Sequence, residues 1–130
     1  MTHDDASALF SDSVLAQVFP KERANQFFEA LYGDAREGAY DITLAFSSLK
    51  NNKLNFEFKL KQRAGKCLAC NLTYGLPTVF SRHPIINLNG LQEEINTLLN
   101  GKASCTGWSV GNTREISHKL HIVPITFNIA

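Results

Sequence analysis

The chain reads as a single α+β domain: an antiparallel sheet of about five strands with helices packed on one face, in the order α-α-β-β-β-α-β-β. Three observations predict it. Tyr40, Ile42, Leu44 and Phe46, then Leu54, Phe56, Phe58 and Leu60, alternate with polar or small residues, a period of two that marks half-buried strands. Two other segments carry apolar residues at helical spacing. The segments joining consecutive strands are short turns, which favour antiparallel pairing over helical crossovers.

Residues 1–10 read as a loose N-terminal segment. Ser11 and Asp12 are N-cap types, and Val14, Leu15, Val18 and Phe19 follow as a short helical stripe. Pro20 suits a first helical turn, and a stronger helix from Pro20 to Tyr32 gathers Ala24, Phe27, Phe28, Leu31 and Tyr32, with Gly33 as its stop. The two alternating runs then form a hairpin around Asn51-Asn52. Opposing Phe46 to Leu54, Leu44 to Phe56, Ile42 to Phe58 and Tyr40 to Leu60 puts every large apolar side chain on one face.

After a turn at Ala64-Gly65, the parity of Leu68, Cys70, Leu72 and Tyr74 predicts a third strand over Lys66–Tyr74. Gly75, Pro77 and Pro84 mark an irregular stretch holding Val79 and Phe80, with a short edge strand at Pro84–Leu88. Asn89 opens a helix to Leu99, with Gln92 placed for a capping box and Leu91, Ile95, Leu98 and Leu99 as the stripe. In the tail, Ile116, His118, Leu120 and Ile122 alternate, and the apolar parity flips after Pro124 to Ile125, Phe127 and Ile129, as at a bulge or edge bend.

The length of 130 residues fits one domain, spanning 1–130, with enough chain to bury a core unaided. A formal net charge of +1 gives no overall field for a polyanion. Charge is nonetheless uneven: acids dominate before Gly38, while Lys50, Lys53, Lys59, Lys61, Arg63 and Lys66 dominate the second strand and its surroundings. The acidic start has neither a basic nor an apolar leader region, and no apolar run is long enough to span a bilayer, so a cytoplasmic chain with reduced thiols and no membrane partner is expected.

The candidate chemistry begins with Cys67-Leu68-Ala69-Cys70. Two thiolates two residues apart bind a metal or exchange electrons only when the backbone folds them onto one site. In a strand, residues three apart lie about 10 Å from each other on opposite faces, too far for a disulfide or a shared zinc ion. The expected strand therefore leaves Cys67 outside, Cys70 inside, and both free. A zinc site of Cys67, Cys70, His118 and His121 meets the same obstacle, with His118 on the apolar parity and His121 facing solvent; zinc is the alternative cofactor, and none is expected by default.

Lys59, Lys61 and Arg63 form an outward basic stripe without interleaved aromatics, so a ligand or anion contact is conceivable there and nucleic acid is not expected. Arg82 and His83, in the irregular stretch, mark the best place for an anion or small-ligand pocket. No nucleophile elbow, phosphate loop or paired carboxylates stand out, and the reading leans away from an enzyme. A non-enzymatic binding or adaptor module acting through protein contacts, with itself as a homodimer or with another protein, is the leading expectation. A metal or thiol site at Cys67 and Cys70 and a small-ligand pocket near Arg82 and His83 are the alternatives.

Overall fold

The computed structural model describes residues 1–68 and 73–130. The fold is α+β, a five-stranded antiparallel sheet with its helices gathered on the apolar face. The start of the chain is helical. Thr2 and Asp5 form a reciprocal capping box, with the Thr2 hydroxyl accepting from the Asp5 N–H at 3.1 Å and the Asp5 carboxylate accepting from the Thr2 N–H at 3.0 Å. That box opens α1 (His3–Leu9), whose Ala6 is buried together with the following Phe10. The Phe10 ring lies 5.2 Å from that of Phe56, so this segment is held by the core as well as by its cap.

Next come α2 (Asp12–Val18), capped by the Ser11 hydroxyl, and α3 (Glu22–Tyr32). Pro20 and Lys21 make the corner between them, so α3 starts slightly later than its sequence pattern implies. It ends at Gly33, where φ of 76° favours a residue without a Cβ.

The hairpin of β1 (Tyr40–Lys50) and β2 (Lys53–Gln62) turns at Asn51-Asn52, both at positive φ, as a tight two-residue hairpin turn requires. The expected apolar face is present, but the pairing is displaced by two residues: Phe46 faces Phe56, Leu44 faces Phe58 and Ile42 faces Leu60. Both strands run all the way to the turn, and a bulge between Phe46 and Ser48 absorbs an extra residue. A displacement by an even number leaves every side chain on its face.

The sheet runs β1-β2-β5-β3, and its last three strands are β3 (Cys105–Val110), β4 (Arg114–Ser117) and β5 (Leu120–Ile129). Strand β5 is central, and Pro124 causes neither bulge nor bend in its pairing with β2. On the other side of β5, β4 pairs residues 120–122 and β3 pairs residues 125–129. Pro124 sits in the gap between those two partners, where its missing N–H is not needed and its carbonyl accepts from Gly111 at 2.9 Å. The inward row is His121, Val123, Ile125 and Phe127, and Ile122 belongs to the outer face.

Two strand expectations fail. Residues 66–68 are not in a strand, and Thr73–Gly75 form a 3-10 turn; Ala69 to Leu72, including Cys70 and Leu72, lie outside the described residues. The stretch after it is helical rather than irregular. In α4 (Leu76–Arg82), Pro77 stands in the first turn, where proline is tolerated. Residues 84–86 are a turn rather than an edge strand and lead to α5 (Leu88–Leu99), capped by Asn87, whose Oδ1 accepts from the Gly90 N–H at 3.1 Å, rather than by Asn89.

Apolar side chains pack between α4 and the sheet. Phe80 is fully buried, its ring 5.5 Å from Phe27 and 5.4 Å from Phe58, and Val79 packs beside it.

Candidate functional site

The basic residues on and just after β2 divide into two roles. Arg63 is consumed by the fold: it donates to Asp41 Oδ1 at 3.0 Å, to the Ala35 carbonyl at 3.1 Å and to Asn25 Oδ1 at 2.8 Å, and it lies over the Phe28 ring. Lys59 and Lys61 instead reach a cavity of about 260 Å³ beside β1. Its walls are Asp12, Ala16 and Phe19 from α2 and its end, and Thr43 to Ala45 of β1; Lys21, from the corner before α3, lines the same cavity as the two strand lysines.

Three ammonium groups and one carboxylate thus share one concavity. β1 is also the end of the sheet, and among the described residues no hydrogen bond from outside the sheet ladder reaches the backbone of residues 43–45. The concavity is a groove along an open strand edge, floored in part by the alternate peptide groups that β2 leaves unpaired and rimmed with lysines. Lys21 was invisible in the sequence because it sits in the acidic helical part and is brought to the sheet only by the corner at Pro20.

Arg82 is exposed at the end of α4; the His83 ring packs 4.8 Å from Phe27, and its Nδ1 accepts from the Ile85 N–H at 3.2 Å.

The histidines exchange their expected places. A turn after β4 breaks the apparent alternation, leaving His118 exposed and placing His121, only 3% exposed, on the inner face. His121 Nδ1 lies 2.7 Å from Thr73 Oγ1, and Thr113 Oγ1 donates to the Thr73 carbonyl at 2.7 Å. Directly across the strand pair, Glu115 Oε1 stands 3.9 Å from His121 Nε2, while its other oxygen accepts from the Tyr74 hydroxyl at 3.1 Å. That bond and the carboxylate charge push the Tyr74 phenol above its ordinary pKa. Thr73 and His121 are far apart in sequence, and no local signal joins them.

Cys67 is exposed and disulfide-bonded, against the expectation of a free thiol. The expectation failed with the strand on which it rested. Cys70 lies outside the described residues. Cys105 is a buried free thiol, pushed up to about 11 by burial. Among the described residues no group of three or more His, Cys, Asp or Glu side chains is placed to hold a metal ion. Nor is any helix among them long and apolar enough to cross a membrane.

The class defined by these features is a small α+β domain with an open, lysine-rimmed sheet edge. No protein-family model matches the chain, and neither a curated protein nor a solved structure does so.

Proposed function

We propose that the chain is a non-enzymatic binding module whose groove at the β1 edge takes an extended, acidic segment of a partner protein. The observation that supports it is the convergence of Lys21, Lys59 and Lys61 on a strand edge whose peptide groups stand open. A segment laid along β1 gains main-chain hydrogen bonds as an added strand, and alternate carboxylates meet the lysines. The cavity is smaller than the roughly 300–1,000 Å³ of cofactor pockets, which favours a slim chain over a bulky ligand.

A synthetic peptide alternating Glu and Val, titrated into the isotopically labelled protein, tests this. Amide shifts concentrated at residues 43–45, weakening as salt rises, are the expected result. Replacing Lys21, Lys59 and Lys61 together by Gln should reduce affinity at least tenfold. Equal binding by that variant, or shifts clustered elsewhere, overturns the reading. Sedimentation at high concentration covers the remaining occupant: a dimer abolished by an acidic peptide would make a second copy the natural guest.

A second reading rests on Cys67 being both exposed and bonded. Such a bond is open to exchange: a thiolate from a dithiol donor attacks sulfur, a mixed disulfide forms, and a second donor thiolate releases the reduced pair as the donor is oxidised. A reduction potential within the range of cellular dithiol donors supports this role, and a bond that such donors leave intact removes it.

A further inference from the structure

Among the described residues, two buried side-chain polar atoms have no hydrogen-bond partner, Gln92 Oε1 and His121 Nε2. The second belongs to a titratable ring and faces a carboxylate that is bonded to something else. We propose that His121 and Glu115 form a proton-operated latch that holds or releases the Tyr74 phenol at the protein surface. This is independent of the groove at β1.

In the neutral ring one nitrogen donates and the other accepts. Nδ1 is already engaged with the Thr73 hydroxyl, and Thr73 cannot follow the ring because its carbonyl is tied to Thr113. Nε2 is left idle, which a neutral ring tolerates better than a charged one. When the ring takes a second proton, both nitrogens become donors and the buried charge needs a second acceptor.

Glu115 supplies it. Its carboxylate is the charged group that faces Nε2 from the strand paired beside it, and closing from 3.9 Å to about 2.8 Å is a small pivot for a side chain 41% exposed on a four-residue strand. Among the described residues the other neighbours offer no competing charge. On β2 the residue opposite His121 is Leu60, while Lys59 and Lys61 point to the outer face. On β4, Arg114 is turned to that same outer face and pairs with Glu57. His118 and Lys119 are exposed in the turn, and the 3-10 turn contributes only Thr73 and the Tyr74 phenol.

The pivot has a cost at the surface. Glu115 Oε2 holds the Tyr74 hydroxyl, and Tyr74 is 66% exposed, beside a strand whose Ile116 is 55% exposed. Drawing the carboxylate inward frees the phenol to donate elsewhere. Acidification thereby changes what an exposed aromatic side chain offers to a partner, without unfolding anything.

The test is a pH titration of the full chain by nuclear magnetic resonance, in a His118→Gln background to remove the neighbouring imidazole signal. Long-range nitrogen spectra read the His121 ring, and the Tyr74 ring carbons read the phenol. The expected result is one shared midpoint for both. Glu115→Gln should lower the His121 midpoint and leave Tyr74 silent. Tyr74→Phe, at an exposed position that does not threaten the fold, should raise the His121 midpoint because the carboxylate is no longer shared. A Tyr74 signal indifferent to His121, or a midpoint unchanged in both variants, overturns the latch. So does an imidazole that stays neutral until the protein unfolds.

Discussion

Arg63 and His121 are both polar side chains at the margin of one apolar core, and they are treated oppositely. Arg63 directly follows β2, its guanidinium bonded to Asp41, Ala35 and Asn25 and laid over Phe28. His121 begins the inward row of β5 with one nitrogen bonded and the other idle. A buried polar group whose bonding capacity is filled is a fastener, and any change in it is a loss. One left half-filled has a second state within reach. The difference separates a residue that belongs to the fold from one that is available for function, although the sequence offered Arg63 as a ligand contact and His121 only as a solvent-facing member of the zinc alternative.

The largest effect expected from this contrast is at Arg63. Arg63→Ala strips three hydrogen bonds and a ring contact from a side chain only 18% exposed, and should cost about 2–3 kcal/mol in urea unfolding. Arg63→Lys should recover little of it, since a point ammonium cannot reproduce the planar fork that reaches Asp41, Ala35 and Asn25 together. If Arg63→Ala is as stable as the parent while peptide binding at the β1 groove is lost, Arg63 is a binding residue and the contrast is wrong.

How much of this was legible in the sequence follows from how local each signal is. The hairpin was readable because period-two alternation in Tyr40–Phe46 and Leu54–Leu60 is a property of each run alone. Its pairing was displaced because the bulge near Ser47 depends on how far both strands extend, which neither run declares. Pro77 concealed α4 because the same proline that breaks a helix interior is harmless in a first turn. The histidines were exchanged because Ile116, His118, Leu120 and Ile122 mimic one strand, whereas a turn divides them between β4 and β5. The groove and the latch were beyond reach, since Lys21 meets Lys59 and Thr73 meets His121 only through the tertiary fold.

A middle-sized effect is expected on the His121 side. Thr73→Val keeps the shape of the side chain and removes the hydroxyl that engages Nδ1, so both ring nitrogens are then buried without a partner. The expected cost is about 1–3 kcal/mol in urea unfolding, against little loss for Thr73→Ser, which restores the hydroxyl. Equal stability of the Val and parent proteins would mean that Nδ1 was never a constraint, and the ring would then be free to turn rather than poised toward Glu115.

The smallest effect, absent at neutral pH, is expected at Cys105, which supplies burial without a charged partner. Its thiol is raised from 9.0 to about 11 by desolvation, so the folded protein holds that proton more tightly than the unfolded chain. The associated stability is therefore complete below pH 9 and declines as pH rises from 9 through about 11. Unfolding midpoints of the parent and of Cys105→Ala, compared at pH 8 and pH 10, should converge at the higher pH as the parent loses this contribution. Alkylation of native Cys105 at pH 8 should also be much slower than in urea. Cys105 thus has a strongly displaced titration and no second arrangement to move into, which is what distinguishes it from His121. A shift produced by burial alone marks a packed group; only a neighbouring acceptor able to change partners turns a proton into a conformational signal.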